Sequence, residues 1–169
     1  MPENSLRENF PEGRMRYLIV CAVFLSVLSQ RAGAAEPAAG PEAIEVKVSV
    51  GTADGQQRFV PSELAFERGK YYKLVLHNPS KEDHYFTSDA FATHVFTRKV
   101  EVLDAAGATV AEIHGAVNDL ELKPGATVAW YFYPMTKGEK LRLYCHKEGH
   151  EAGGMTGSIS ISGALRFAH

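Results

Sequence analysis

A chain of 169 residues with ordinary apolar (45%) and charged (22%) fractions can build one domain with a real core, but not two large ones. Its formal charge is −2 and its basic residues are scattered, which excludes the footprint of a nucleic-acid binder.

In chain order, the first feature is an export signal. Arg14 and Arg16 precede an apolar run from Tyr17 to Leu28, and small residues follow, with Ala32 and Ala34 flanking Gly33. A basic start, about twelve apolar residues and an Ala-x-Ala site predict a cleaved secretory signal peptide over residues 1–34. The run falls short of the ~20 residues that a spanning helix needs, which makes an uncleaved anchor the lesser alternative. Cys21 sits inside the run, without the small-residue setting of a lipid-anchored cysteine. It leaves with the signal. The exported chain then carries a net charge of −3 and a single cysteine, Cys145, and its expected location is periplasmic or secreted.

Residues 35–42, rich in Ala, Pro and Gly, read as a flexible lead-in to a domain over 43–169. Residues 43–50 alternate apolar and polar and predict the first strand. Residues 58–66 are extended, and Pro61 argues for an edge or irregular strand. A strand over 71–77 leads to a polar loop opened by Asn78-Pro79, and His84 reopens extended structure. A one- or two-turn helix is predicted within 88–96, capped by Ser88. Strands follow at 98–103, 109–113, 119–125 (ending in a Pro-Gly turn), 126–133, 140–144 and 157–162. About eight short strands between turn signals predict an all-β Greek-key sandwich with a short helical insert.

The chemistry lies in the loop before the last strand. Cys145, His150 and Met155 are separated by four residues each, and Gly149, Gly153 and Gly154 let the backbone turn tightly. A thiolate, an imidazole and a weak thioether suit copper; zinc more often recruits further thiolates or carboxylates. A trigonal Cys and two His with a long axial Met is the blue-copper arrangement. An unpaired thiol in an oxidising compartment is a ligand, a nucleophile or half of an intermolecular disulfide, and its neighbours favour the ligand.

The second imidazole must come from elsewhere. His77 lies at a strand's end on a structural face, His114 sits at a turn, and His169 is terminal. His146 follows Cys145 directly, so in extended backbone its side chain points away from the metal. His84 opens a strand with the apolar pair Tyr85-Phe86 behind it, on the kind of rigid element that a metal site favours. His94, in the predicted helical turn, is its competitor.

With these residues in place the chain resembles the cupredoxins, the small blue-copper proteins, over roughly residues 43–162. Phe59-Val60-Pro61, Arg68-Gly69-Lys70, His84, Lys123-Pro124-Gly125 and the Cys145-x4-His150-x4-Met155 loop carry the resemblance. The loop spacing is similar to that of rusticyanin and azurin-like members, whereas plastocyanins have a shorter gap between Cys and His. The resemblance implies one type 1 copper per chain, held by His84, Cys145 and His150 with Met155 axial. Two departures stand out. Tyr85 occupies the place of an Asn that in many relatives ties the ligand loops together. The insert over 86–98 is longer than in the smallest members, as a cover for the site or a docking face would be.

The expected function is electron transfer between redox proteins, with a partner such as a cytochrome or terminal oxidase. The expected state is a monomer without nucleic acid or lipid anchor. An enzyme of the multicopper oxidase or copper nitrite reductase kind needs a second copper centre and at least two such domains, so no catalytic activity is expected. The alternative is a periplasmic copper-binding or chaperone protein serving oxidase maturation or copper tolerance. Chaperone sites usually use several Met or His without a lone buried thiolate.

Overall fold

Alternation along the strands decides which side chains meet. The computed structural model describes residues 41–164; the expected signal peptide, nearly all of the lead-in and His169 lie outside them. In β1 (Ile44–Val50) Val46, Val48 and Val50 turn inward, and in β4 (Tyr72–His77) Tyr72, Leu74 and Leu76 do so. Successive side chains of a strand face opposite ways, so each element keeps one polar face in water. The remaining elements are β2 (Phe59–Val60), β3 (Glu63–Glu67), β5 (His84–Thr87), α1 (Asp89–His94), β6 (Val95–Leu103), β7 (Thr109–Ile113), β8 (Asp119–Leu122), β9 (Thr127–Pro134), β10 (Gly138–Tyr144) and β11 (Thr156–Ser162).

The strands form two sheets, ordered β2-β1-β4-β9-β6-β7 and β3-β11-β10-β5-β8. Two pairings are parallel, β1 with β4 and β11 with β3; the others are antiparallel. This is the all-β sandwich expected, with eleven strand segments among the described residues where about eight were expected. One cause is Pro61, which has no N–H for a ladder. The extended stretch 58–66 therefore divides, giving β2 to one sheet and β3 to the other.

The core lies between the sheets. Leu74, Leu76, Trp130, Phe132 and Val100 from the first face Leu64, Phe66, Phe86, Leu122, Leu143, Ile159 and Ile161 from the second. Phe66 meets Phe132 edge-on at 5.2 Å between ring centroids, a preferred geometry for aromatic pairs.

The short helix exists, but Ser88 does not cap it. The Ser88 hydroxyl donates to the Arg142 carbonyl at 2.6 Å, and no side-chain cap closes the helix start. Tertiary pairing has taken the group that local chemistry would have used. Helix α1 is held instead by Phe91, fully buried against Phe66 (5.5 Å), Trp130 (5.4 Å) and Phe132 (5.2 Å). Phe66 registers with Ile161 near the end of β11, while the 145–155 loop enters β11 at its start. The insert thus plugs the end of the core away from that loop.

Phe91→Ala should lower stability by about 3–5 kcal/mol in urea unfolding, the usual effect of emptying a buried aromatic site. Phe96→Ser, at a side chain 54% exposed, should change it by no more than about 0.5 kcal/mol. Equal effects would remove Phe91 as the anchor of the insert.

Candidate metal centre

The loop before β5 is built to hold its last residue still. Asn78 is fully buried, and its side-chain amide donates to the carbonyls of Glu82 (2.7 Å) and Leu122 (2.8 Å). Its side-chain oxygen accepts from the backbone N–H of Ser80 (2.9 Å) and the Ser80 hydroxyl (2.8 Å). A buried amide with its groups satisfied rigidifies the backbone around it. Two residues beyond Glu82, His84 enters β5 opposite Leu122 of β8. Gly51 lies against its ring: a Cβ there would come within 2.6 Å of His84 Nε2, and Gly51 has φ +85°. Both the space and the backbone require glycine.

The second segment folds on itself. The N–H of Cys145 donates to the carbonyl of Met155 at 3.1 Å, and the N–H of Met155 donates to that of His150 at 2.9 Å. Inside the loop, His150 N–H bonds to the Lys147 carbonyl (3.0 Å) and Gly153 N–H to the Gly149 carbonyl (2.9 Å). The even four-residue spacing thus becomes a closed turn whose two ends continue the β10–β11 ladder.

Together the two segments make one cluster. His84, Cys145 and His150 each offer a donor atom, all within 4.8 Å of one another. His84 Nδ1 is 3.1 Å from His150 Nδ1, and Cys145 Sγ is 3.6 Å from His150 Nδ1. Burial is nearly complete: His84 is 2% exposed, His150 3%, and Cys145 and Met155 0%. Met155 is fully buried in the core, tied to Cys145 through the backbone.

The other histidines lie elsewhere. His94 ends α1 with its Nδ1 2.6 Å from the Ala90 carbonyl. His77 bonds Thr127 on an outward face (2.9 Å), and exposed His114 pairs with Glu112 (2.8 Å). His146 points outward, stacked on Tyr85 at 3.9 Å with its Nδ1 3.1 Å from Thr87 Oγ1. That stacking shows what Tyr85 does in place of an Asn. Its backbone N–H donates to Cys145 Sγ at 3.3 Å, while its ring grips the residue next to Cys145. The two segments are joined at the thiol.

Three residues that position the cluster were not singled out by sequence reasoning. Asn78 read only as a turn initiator, Gly51 only as part of a turn, and Glu82 only as loop. Glu82 Oε2 lies 3.2 Å from His150 Nε2 and 3.1 Å from Lys147 Nζ. The signal available was the polar density of 78–83 just before His84. Lys147, by its hydrogen bond, holds the Glu82 carboxyl below the usual carboxylate range. Burial, and then the neighbouring His150 ring, pushes His84 below the ordinary imidazole value. A neutral imidazole is the form that binds metal. One thiol and two imidazoles, converging in a buried site with a methionine on the same loop, form a donor set that fits a type 1 copper ion.

No protein-family model and no curated protein matches the sequence. Among solved structures, an auracyanin from Roseiflexus castenholzii is 16% identical, covering 72% of this chain and 100% of that one, with a TM-score of 0.45. Auracyanin A, a "blue" copper protein from Chloroflexus aurantiacus, is 15% identical over 72% and 100%, with a TM-score of 0.46. McoA, a multicopper oxidase from Aquifex aeolicus, is 14% identical over 76% of this chain and 31% of that one, with a TM-score of 0.52. This last likeness shows a shared fold. The shared fold is the β-sandwich expected from the strand pattern.

Gly51→Ala should destabilise the protein by about 2–4 kcal/mol, combining left-handed backbone strain with overpacking against His84. Thermal unfolding checks the size, and loss of metal affinity checks the route. The depressed His84 pKa gives a pH signature. Below about 6.5 the unfolded chain binds a proton that the folded chain resists, so metal-free stability should fall as pH drops through that value. His84→Gln should flatten the slope of Tm against pH between about 5 and 8; an unchanged slope would assign it to other groups.

Proposed function

We propose that the chain is a mononuclear type 1 copper protein, exported to the periplasm or beyond, that carries single electrons between redox proteins. The observation that carries this reading is the buried trio His84, Cys145 and His150. A bound copper supplies one-electron chemistry between Cu(I) and Cu(II). The chain's residues supply the rest. Two imidazoles and a thiolate come from a sandwich end pinned by Asn78 and by the Tyr85 N–H. Held by these bonds, the ligand set would change little between the two oxidation states of a bound copper. Met155 would supply a weak thioether donor, and the hydrogen bond from Tyr85 N–H to the Cys145 sulfur would tune the potential.

Export is supported by the apolar run and Ala-x-Ala site near the N-terminus; among the described residues no helix is long and apolar enough to cross a membrane. The proposed partner is a cytochrome or terminal oxidase, met by a monomer. A chaperone role is disfavoured by the site itself. Ligands buried to this degree exchange metal slowly, which suits retention better than delivery.

Copper titration should load one ion per chain and produce an intense thiolate-to-copper band toward the red end of the visible spectrum. Colourless copper-loaded protein, or tighter zinc binding without a coloured state, would remove the reading. His84→Ala should abolish the band or open the site to added ligands, while His94→Ala should leave it in place. Met155→Leu should keep the band and raise the reduction potential, and Met155→Gln should lower it, because a harder oxygen donor favours Cu(II). An unmoved potential in both would remove Met155 from the axial position.

A further inference from the structure

His150 is gripped on both edges of its ring. Its Nδ1 faces His84 Nδ1 at 3.1 Å and Cys145 Sγ at 3.6 Å, so this nitrogen is directed at the metal position. On the far edge, Nε2 is 3.2 Å from Glu82 Oε2. An ionised carboxylate only accepts, so Nε2 carries the hydrogen and Nδ1 keeps its lone pair. The Lys147 ammonium lies 3.1 Å from the same carboxylate oxygen and pairs with it.

The Glu82 side chain is 56% exposed, and exposed ion pairs are ordinarily weak and mobile. Its root is not mobile. The Glu82 carbonyl accepts from Asn78 Nδ2 (2.7 Å), and its N–H donates to Ser80 Oγ (3.2 Å). Asn78 and Ser80 are themselves buried. The carboxylate therefore hangs from a fixed backbone, directly over an imidazole edge that is otherwise sealed.

We propose that Glu82 is the positioning residue of the centre, fixing the tautomer and orientation of His150 and raising the donor strength of its Nδ1. This rests on the copper reading above. A carboxylate accepting from the remote N–H of a ligand imidazole makes the ring a stronger donor. A stronger donor favours the more charged Cu(II). Lys147, on the same carboxylate oxygen, offsets part of that charge. The loop before β5 thus sets the electronic character of a ligand on the β10–β11 loop.

The test begins with metal-free protein, where 15N NMR of the imidazoles reads the tautomer directly. His150 should be Nε2-protonated with slow hydrogen exchange. Glu82→Ala should speed that exchange at least about tenfold, the order of loss expected when the partner of a ligand imidazole is removed. Glu82→Gln, whose amide oxygen still accepts, should keep the tautomer, and so should Lys147→Ala. In copper-loaded protein Glu82→Ala should weaken Cu(II) binding about 10–100-fold and Cu(I) binding less. Each tenfold difference between the two appears as a rise of about 59 mV in the potential. Glu82→Gln should fall between, and Lys147→Ala should lower the potential. Glu82 is overturned as the positioning residue by an Nδ1-protonated His150 in the metal-free wild type. It is equally overturned if Glu82→Ala leaves both exchange and the Cu(II)-to-Cu(I) affinity ratio unmoved. Failure of the wild type to form a coloured site would instead count against the copper reading, and the tautomer would still decide the role of Glu82.

Discussion

The structure depends on holding an imidazole from one segment against a thiol and an imidazole from another, 66 residues further along the chain, inside a dry space. Lone pairs converging within 4.8 Å are useful to a metal only if they stay converged when it is loaded or changes charge. Neither segment could manage this alone. Residues 78–84 are mostly loop, and 145–155 is a turn with glycines in it. Rigidity comes from what each is fastened to: Asn78 to the backbone of β8 at Leu122, and Cys145 to Met155 across the start of the β10–β11 hairpin. The bond from Tyr85 N–H to Cys145 Sγ couples the two fastenings.

Charged contacts around the site are of a different kind. Lys147–Glu82, Lys123–Asp83 and Arg142–Glu151 are partly or largely exposed, and pairs of that sort contribute little to stability. They orient rather than stabilise. Stability resides in the interlocked aromatic core of Phe66, Phe91, Trp130 and Phe132, at the opposite end of the sandwich from the ligand loop. Separating the two ends lets the core carry the fold while the ligand end accepts buried polar groups and close approaches such as Gly51 against His84.

The two departures from the common cupredoxin pattern have physical accounts. Where an Asn would use its side chain to tie the ligand loops, Tyr85 uses its N–H for the sulfur and its ring for His146. The 86–98 insert supplies Phe91 to the core.

The sequence by itself determined whatever depends on near neighbours. Period-two alternation marked β1, β10 and β11, apolar runs between turn residues marked others, and the Cys145-x4-His150-x4-Met155 spacing marked the loop and its donor chemistry, since one turn closes that spacing locally. It also favoured His84 over His94, because a strand-opening residue with an apolar pair behind it is held more rigidly than one on a short helix. Only the tertiary structure decided matters set by distant contacts. The Ser88 hydroxyl left its helix for Arg142, Pro61 divided one extended run between two sheets, and Gly51 became the floor under His84. The carboxylate over His150 is the clearest case. Nothing within ten residues of Glu82 in the chain announces His150; the sandwich brings them to 3.2 Å because the loop before β5 and the loop after β10 close the same end of the sandwich.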